Sequence, residues 1–271
     1  MASSAYTTLE GMVVNTKAAA VYAAFERSIL LGGMLVPTLS VPAGSFTAQV
    51  PFLDGTINVQ DAGIGSDFTA GDDITSSNVD ATPKLIQAKT WAARTVLRDI
   101  GGINPVEVGT LLGNKVSAAY DAASVAALVA GAADSVSTAA DFNMTHLFEA
   151  ASKIRAAGET GALYGIVSPA MAYQLLSNMT ANGNIAGGDF QTEALRTGWV
   201  GSFAGIMLFQ SSHATADGIV MGADYARQAI FKGLDLEIAR SPRSIGNDVV
   251  ASLHAAVGIV DGNRGVTLTV A

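Results

Sequence analysis

Three histidines and one acid-rich segment are the residues with metal-binding or acid–base chemistry to offer. His146, His213 and His254 fall on three different expected elements: a helix start, a loop and a strand. None has a second histidine or a carboxylate at metal-ligand spacing, so each reads as a structural or solvated residue. Asp67, Asp72 and Asp73 belong to a segment, 54–80, that has six aspartates and no basic residue. Their oxygens suit a hard cation, but the spacing of a calcium loop is missing. An electrostatic use remains, in which these acids meet Lys or Arg of a neighbouring copy. Exposed pairs contribute only about 0–1 kcal/mol each, so they set register more than they drive association. The chain has no phosphate-cradling glycine–lysine loop, no dinucleotide fingerprint and no nucleophile elbow; Gly63-Ile64-Gly65 lacks the third glycine. The absence of cysteine excludes disulfides, thiolate catalysis and cysteine-ligated metals. No catalytic residue, cofactor site or metal site is therefore expected.

The rest of the composition narrows the class. The chain has 271 residues, with 49% hydrophobic and 14% charged side chains, which excludes a disordered polymer. The mean hydropathy of +0.37 owes much to Ala and Gly, small residues that let elements approach closely. Surface scaling for a compact monomer of this mass predicts roughly 11,000 Å² exposed. A net charge of −8 argues against tight nucleic-acid binding, which needs clustered cations. The start, Met1-Ala-Ser-Ser-Ala-Tyr, has neither the basic nor the apolar region of a leader peptide. The uncharged stretches 28–53 and 160–188 are broken by Pro or rich in Asn, Ser and Gly, so no membrane span is expected. Asn143-Met-Thr and Asn178-Met-Thr match the glycosylation pattern by chance.

The elements follow from periodicity. Residues 1–15 read as an irregular arm. Lys17 to Leu31 reads as a helix with Val21, Phe25 and Ile29 on one face, stopped by Gly32-Gly33. A long strand–loop–strand excursion runs from Ser45 to Leu97. Phe46, Ala48 and Val50 alternate on its outward leg. Lys84, Lys89, Arg94 and Arg98 lie on its return leg. The excursion has too few large apolar residues for its own core, and a lone two-stranded ribbon is marginal in water, so its support must come from elsewhere. Asn104-Pro105-x-Glu107 opens a long helix, 105–129, with Val108, Leu112, Val116 and Tyr120 at helical spacing. Gly109 and Gly113 inside it are either tolerated or needed for close backbone packing. Next come a loop (131–140), a helix (143–157), a strand (163–167), a helix (169–178) and a flexible loop (182–188). Strands are expected at 203–209 and 218–221, around Leu234, Leu236 and Ile238, and over 249–260 and 266–270.

This order resembles the HK97-type major capsid proteins of tailed bacteriophages. The residues that carry the resemblance are the basic strand Lys89-Thr-Trp-Ala-Ala-Arg-Thr-Val-Leu-Arg-Asp leading to the Asn-Pro-capped helix, then Gly205-Ile-Met-Leu-Phe-Gln, Gly218-Ile-Val-Met-Gly, Ala226-Arg-Gln-Ala-Ile and Leu234-Asp-Leu-Glu-Ile-Ala-Arg. The resemblance implies an α+β HK97-like fold with an N-terminal arm and helix (1–44) and an extended loop (45–83). It further implies a peripheral domain (84–138 and 236–271, with spine helix 105–129) and an axial domain (139–235). It implies a non-enzymatic shell subunit of the virion, assembled in the host cytoplasm as pentamers and hexamers around DNA. Portal, scaffolding and decoration proteins are its further partners, and no sequence-specific nucleic-acid binding or membrane is implied. Asp67, Asp72, Asp73, Lys84, Lys89, Arg94 and Arg98 are the candidate inter-subunit contacts. No charged helical N-terminal scaffolding segment and no Lys/Asn crosslinking pair are recognised. Two other readings stand beside this one: an encapsulin-like nanocompartment shell of the same fold, and a small α/β enzyme with a mobile acidic lid at 54–80.

Overall fold

The computed structural model describes residues 3–42, 44–50, 53–54, 80–81, 84–98, 105–138, 141–181, 199–203, 205–214, 217–241 and 246–270. The acidic cluster Asp67, Asp72 and Asp73, the cap Asn104 and the loop expected at 182–188 lie outside them.

Two sheets and one long helix organise the chain. The chain opens with α1 (Ser3–Arg27), β1 (Thr38–Leu39), β2 (Thr47–Val50), β3 (Leu53–Asp54), β4 (Asp80–Ala81), β5 (Lys84–Gln87) and β6 (Thr90–Arg98). Helix α2 (Pro105–Gly131) precedes β7 (Asp134–Thr138), α3 (Met144–Ala156), β8 (Leu163–Val167) and α4 (Pro169–Ala181). The last third holds β9 (Trp199–Phe203), β10 (Ile206–Gln210), β11 (Asp217–Gly222), β12 (Ala226–Ser241), β13 (Gly246–Ile259) and β14 (Gly265–Val270). One sheet has the order β1-β12-β13-β6, the other β7-β14-β11-β8-β10-β9. Strand β14, which the resemblance groups with the peripheral portion, pairs with β11 and β7 in the six-stranded sheet.

Helix α2 joins the sheets because its two halves bury against different partners. Val108, Leu112, Val116 and Tyr120 share one core with Val249, Ala251 and Leu253 of the four-stranded sheet. Val125 and Leu128 meet the same core where Ile166, Ile219 and Met221 of the six-stranded sheet enter it. The opposite face of that sheet closes a second core with Leu147 and Ile154 of α3 and Met171 and Leu175 of α4. Two terminal carbonyls of α2, which no helical N–H can reach, accept hydroxyl donors. The Tyr225 phenol bonds Leu128 and the Thr267 hydroxyl bonds Val129 at 3.0 Å.

Gly109 and Gly113 are needed for close packing. Helix α1 runs parallel to α2 at a constant offset, Gly109 facing Thr16 and Gly113 facing Ala20. A Cβ would lie 2.5 Å from the Thr16 carbonyl oxygen and 2.2 Å from that of Ala20. The same contact corrects the expected face of α1. Thr16, Ala20, Ala23 and Ala24 are buried, whereas Phe25 is 46% exposed, because only small side chains fit between helices this close. The first residues are helical from Ser3, not an irregular arm; Ala, Leu, Met and Glu there are good helix formers. The helix stops at Arg27, before the double glycine. The Ser28 hydroxyl and the Ile29 N–H donate to the Asp121 carboxylate at 2.7 and 3.1 Å, and this turns the chain away.

Three strand expectations change. The return leg of the excursion is two strands in two sheets, since β5 pairs β2 and β6 pairs β13. The segment 203–209 is a hairpin, with β9 and β10 antiparallel around Gly205 at φ +77°. The loop 131–140 contains β7, whose single buried apolar residue, Val136, is too weak a pattern to read. Asn143, expected as the first residue of the helix, is instead the cap of α3, its carboxamide accepting the Thr145 N–H while His146 Nδ1 accepts the Asn143 N–H.

Gly113→Ala tests the helix contact. Its added methyl meets backbone, so overpacking of about 1–3 kcal/mol outweighs a helix-propensity gain of about 1 kcal/mol. The midpoint of thermal unfolding is expected to fall; an unchanged or higher midpoint contradicts the close approach.

Candidate functional site

The candidate site is a surface built on the base of the excursion. Strands β2 and β5 form an antiparallel ribbon in the register Ala48↔Ile86 and Gln49↔Leu85. Its inner face, Ala48, Val50 and Ile86, lies on the four-stranded sheet across from the helices, against Ala229, Ala256 and Phe231. Ile86 sits over Gly258, where a Cβ would approach its Cγ1 to 2.4 Å. The base of the excursion is thus supported by its own chain, which corrects the expectation that support comes wholly from elsewhere. Its outer side is not supported there. Leu85 there is 58% exposed, and Phe46, just before β2 and expected to pack with Ala48 and Val50, is 77% exposed. Burying two such side chains against a second molecule would contribute about 1.5–3 kcal/mol each.

The charged candidates are distributed along this surface. Lys84 stands opposite Val50 in the ribbon, and Lys89 follows at the step between β5 and β6, its carbonyl accepting the Ala255 N–H at 3.1 Å. Arg94 of β6 bonds Asp248 of β13 at 2.7 Å, so this guanidinium already has a carboxylate within the chain. Arg98 stands opposite Gly246 in the β6–β13 ladder. Asp67, Asp72 and Asp73 lie outside the described residues. His254 bonds the Thr90 hydroxyl at 2.9 Å, His146 belongs to the α3 cap and His213 follows β10. The three histidines do not converge, and among the described residues no group of three metal-ligating side chains is found.

Two charged arrangements escaped the sequence reading. Arg264 clamps three turns, bonding Asp261 at 3.0 Å, Asp224 at 3.1 Å and the buried Glu159 at 3.2 Å; Arg227 adds Asp224 at 2.6 Å. Glu159 also accepts the Gly161 N–H at 2.7 Å. The turns belong to α3–β8, β11–β12 and β13–β14, so the clamp fixes the sheets to one another. The signal was Glu159 alone between Gly158 and Gly161, too short to read. The second is Asp121, 2% exposed, an acid on the apolar stripe of α2. That position was a legible anomaly. Burial pushes its carboxyl up, while the bonds from Ser28 and Ile29 oppose the shift.

Known proteins identify the architecture. No protein-family model and no curated protein matches the chain. Solved structures do match. The capsid structure of Cyanophage P-SCSP1u is 16% identical, with 86% of each chain covered and a TM-score of 0.61. A structure from Microbacterium phage Oxtober96 is 13% identical, covering 90% of this chain and 91% of that one, with a TM-score of 0.67. The chain has the HK97-like α+β capsid fold. A crystal structure of a virus-like particle from Pyrococcus furiosus is 12% identical, covering 94% of this chain and 98% of that one, with a TM-score of 0.64.

Acid and base act on the clamp and on Asp121 in opposite senses. The Arg227 guanidinium holds the Asp224 carboxyl below the usual carboxylate range. Its stabilisation is present above the unfolded value near 4 and is lost as pH falls through the folded one, with a ceiling of about 1 kcal/mol for so exposed a pair. The raised Asp121 carboxyl contributes stability that declines as pH rises from about 4 through its folded value. Asp121→Asn is therefore expected to gain on the wild type in thermal midpoint between pH 4 and pH 7. A gap that stays constant across that window contradicts the assignment.

Proposed function

We propose that the chain is the major subunit of an icosahedral phage head, assembling as pentamers and hexamers around the DNA genome. The observation that carries this reading is surface. Among the described residues the large apolar side chains of Tyr22, Met34, Phe46, Leu85 and Tyr173 are each more than half exposed. A protein holds so much area open when copies of itself cover it. The similarity to capsid structures supports the same role, and a structural subunit without catalysis is the reading it favours.

In this reading the peripheral portion is α1, α2 and the four-stranded sheet, and the axial portion is the six-stranded sheet with α3 and α4. The excursion, 45–83, lies on a neighbour, with Phe46 and Leu85 as its apolar contacts. Asp67, Asp72 and Asp73 meet basic residues of another copy there, drawn from Lys84, Lys89, Arg94 and Arg98. Assembly takes place in the host cytoplasm and the product belongs to the virion, with portal, scaffolding and decoration proteins as further partners. One observation favours a second reading, an encapsulin-like nanocompartment: the likeness to the Pyrococcus furiosus virus-like particle covers nearly the whole of both chains. Portal, terminase and protease genes beside the coding sequence support the phage head, and a peroxidase or ferritin-like cargo gene supports the compartment.

Expression of the chain is expected to give closed particles, seen by sedimentation and negative-stain imaging. A stable monomer in light scattering overturns both shell readings. Phe46→Ser combined with Leu85→Ser is expected to shift the population from particles to free subunits without lowering the thermal midpoint; undiminished assembly removes this ribbon from the interface.

A further inference from the structure

Most cations of this acidic chain are engaged within it. Lys17, Arg94, Lys153, Arg227, Lys232 and Arg264 each have a carboxylate on the same copy. Among the residues whose side chains are described, Arg27, Lys89 and Lys115 are the lysines and arginines whose side chains make no hydrogen bond or ion pair in the chain. Arg27 and Lys115 are exposed, and both line one cleft of about 470 Å³ where the end of α1 meets α2 and the loop after β10. That volume lies within the about 300–1,000 Å³ of ordinary ligand sites.

The loop after β10 adds two donors. His213 brings an imidazole to the same cleft, and Ser212 brings an exposed hydroxyl. The donors therefore come from three separate elements. A carboxylate has two oxygens in one plane, which a single guanidinium satisfies. A phosphate spreads more charge over oxygens arranged in a tetrahedron, so it suits donors supplied by several elements. Asp121 lines the cleft too, but its carboxylate is 2% exposed and its oxygens already accept from Ser28 and Ile29. It gives neither cation an ion pair, and its charge keeps an anion towards the mouth. We propose that this cleft binds a phosphate group, held between the Arg27 guanidinium and the Lys115 ammonium, with His213 and Ser212 as further donors.

The charge of the whole chain limits the size of the anion. At −8 the long-range field opposes a long polyanion, whereas two neighbouring cations hold a compact one at short range. A phosphate group has two sources, a small polyphosphate or the backbone of a nucleic acid. That the source is packaged nucleic acid rests on the shell reading; the binding itself does not.

The test uses the full-length chain, with pyrophosphate titrated by calorimetry at low ionic strength. Saturable binding is expected for the wild type, weakened about tenfold or more in Arg27→Gln with Lys115→Gln because two charge-assisted bonds are lost. Each single variant is expected to lose part of the affinity and to keep the wild-type thermal midpoint, so the proposal stays testable if the double variant fails to fold. Arg27→Lys with Lys115→Arg is expected to retain most of the binding, and Lys89→Gln all of it. A short oligothymidine that displaces pyrophosphate through the same two residues assigns the phosphate to a nucleic-acid backbone; an oligothymidine that does not displace it assigns a small polyphosphate, and either result upholds the site. Four results overturn it: no saturable binding, no loss in either single variant, a loss in Lys89→Gln as large as in the double variant, or succinate binding as tightly as pyrophosphate. Sedimentation of the same samples separates the two readings. Absent particles with intact pyrophosphate binding count against the shell alone, and particles without Arg27- and Lys115-dependent binding count against this site alone.

Discussion

The structure depends on how closely α2 lets other backbone approach it. At Gly109 and Gly113 the missing side chains admit the carbonyls of Thr16 and Ala20, and at Gly131 the space is filled by Ile259 and Tyr225. Three glycines in one helix are costly taken singly, about 1 kcal/mol each against Ala. They are retained because each is a point where a different part of the chain is seated. The first two place α1 alongside α2. The third places Tyr225, which is wholly buried, bonds the α2 carbonyl end and packs face-on over Gly265 at the start of β14. Removing any one contact therefore loosens a layer rather than a side chain.

From that constraint the shape of the subunit follows. A helix of 27 residues is about 40 Å long, more than one small core can cover, so its two ends are buried by different sheets. The sheets are then held by the helix on one side and by the Arg264 clamp on the other. The clamp's pairs are partly exposed and individually weak. Their value is geometric, because Glu159 is 4% exposed and accepts a backbone N–H as well, which fixes the turn that carries it. A subunit built this way is stiff through the middle and carries its uncovered apolar area at the excursion and on the helix surfaces.

What the sequence made legible was whatever repeats with a clear period. The alternation of Leu234, Leu236 and Ile238, the Val266–Leu268 alternation of the last strand and the start of α2 at Pro105 each stand in the structure as strand or helix. What it hid was set by tertiary contact. Strand β7 has one buried apolar side chain and exists because β14 offers it a parallel ladder. The break between β5 and β6 has no turn residue, only Ala88-Lys89, and arises because the two strands belong to different sheets. Of the face expected for the first helix, Val21 and Ile29 pack on the core but Phe25 does not, because the distance between α1 and α2 admits only small side chains. Of the candidate contacts, the basic set was read from charge alone, and charge does not reveal that Arg94 is engaged by Asp248 across a ladder.

The internal pairing of charge also explains which forces are left for association. On the shell reading, a chain of net charge −8 must overcome its own repulsion to associate with further copies. Placing most described cations in pairs with carboxylates on the same copy lowers the local field, but it leaves few of them to attract a neighbour. Attraction between copies must then come mainly from apolar area, which is insensitive to salt, with charge choosing the register. Phe46 just before β2, at 77% exposure, and Leu85 of β5, at 58%, are large apolar groups left open beside a ribbon already seated on the sheet. No polar rearrangement within the described subunit is needed to present them. Association by this route costs little ordering at the ribbon base, since Ile86 over Gly258 has already fixed its backbone, and preorganised area is the kind that converts most fully into affinity.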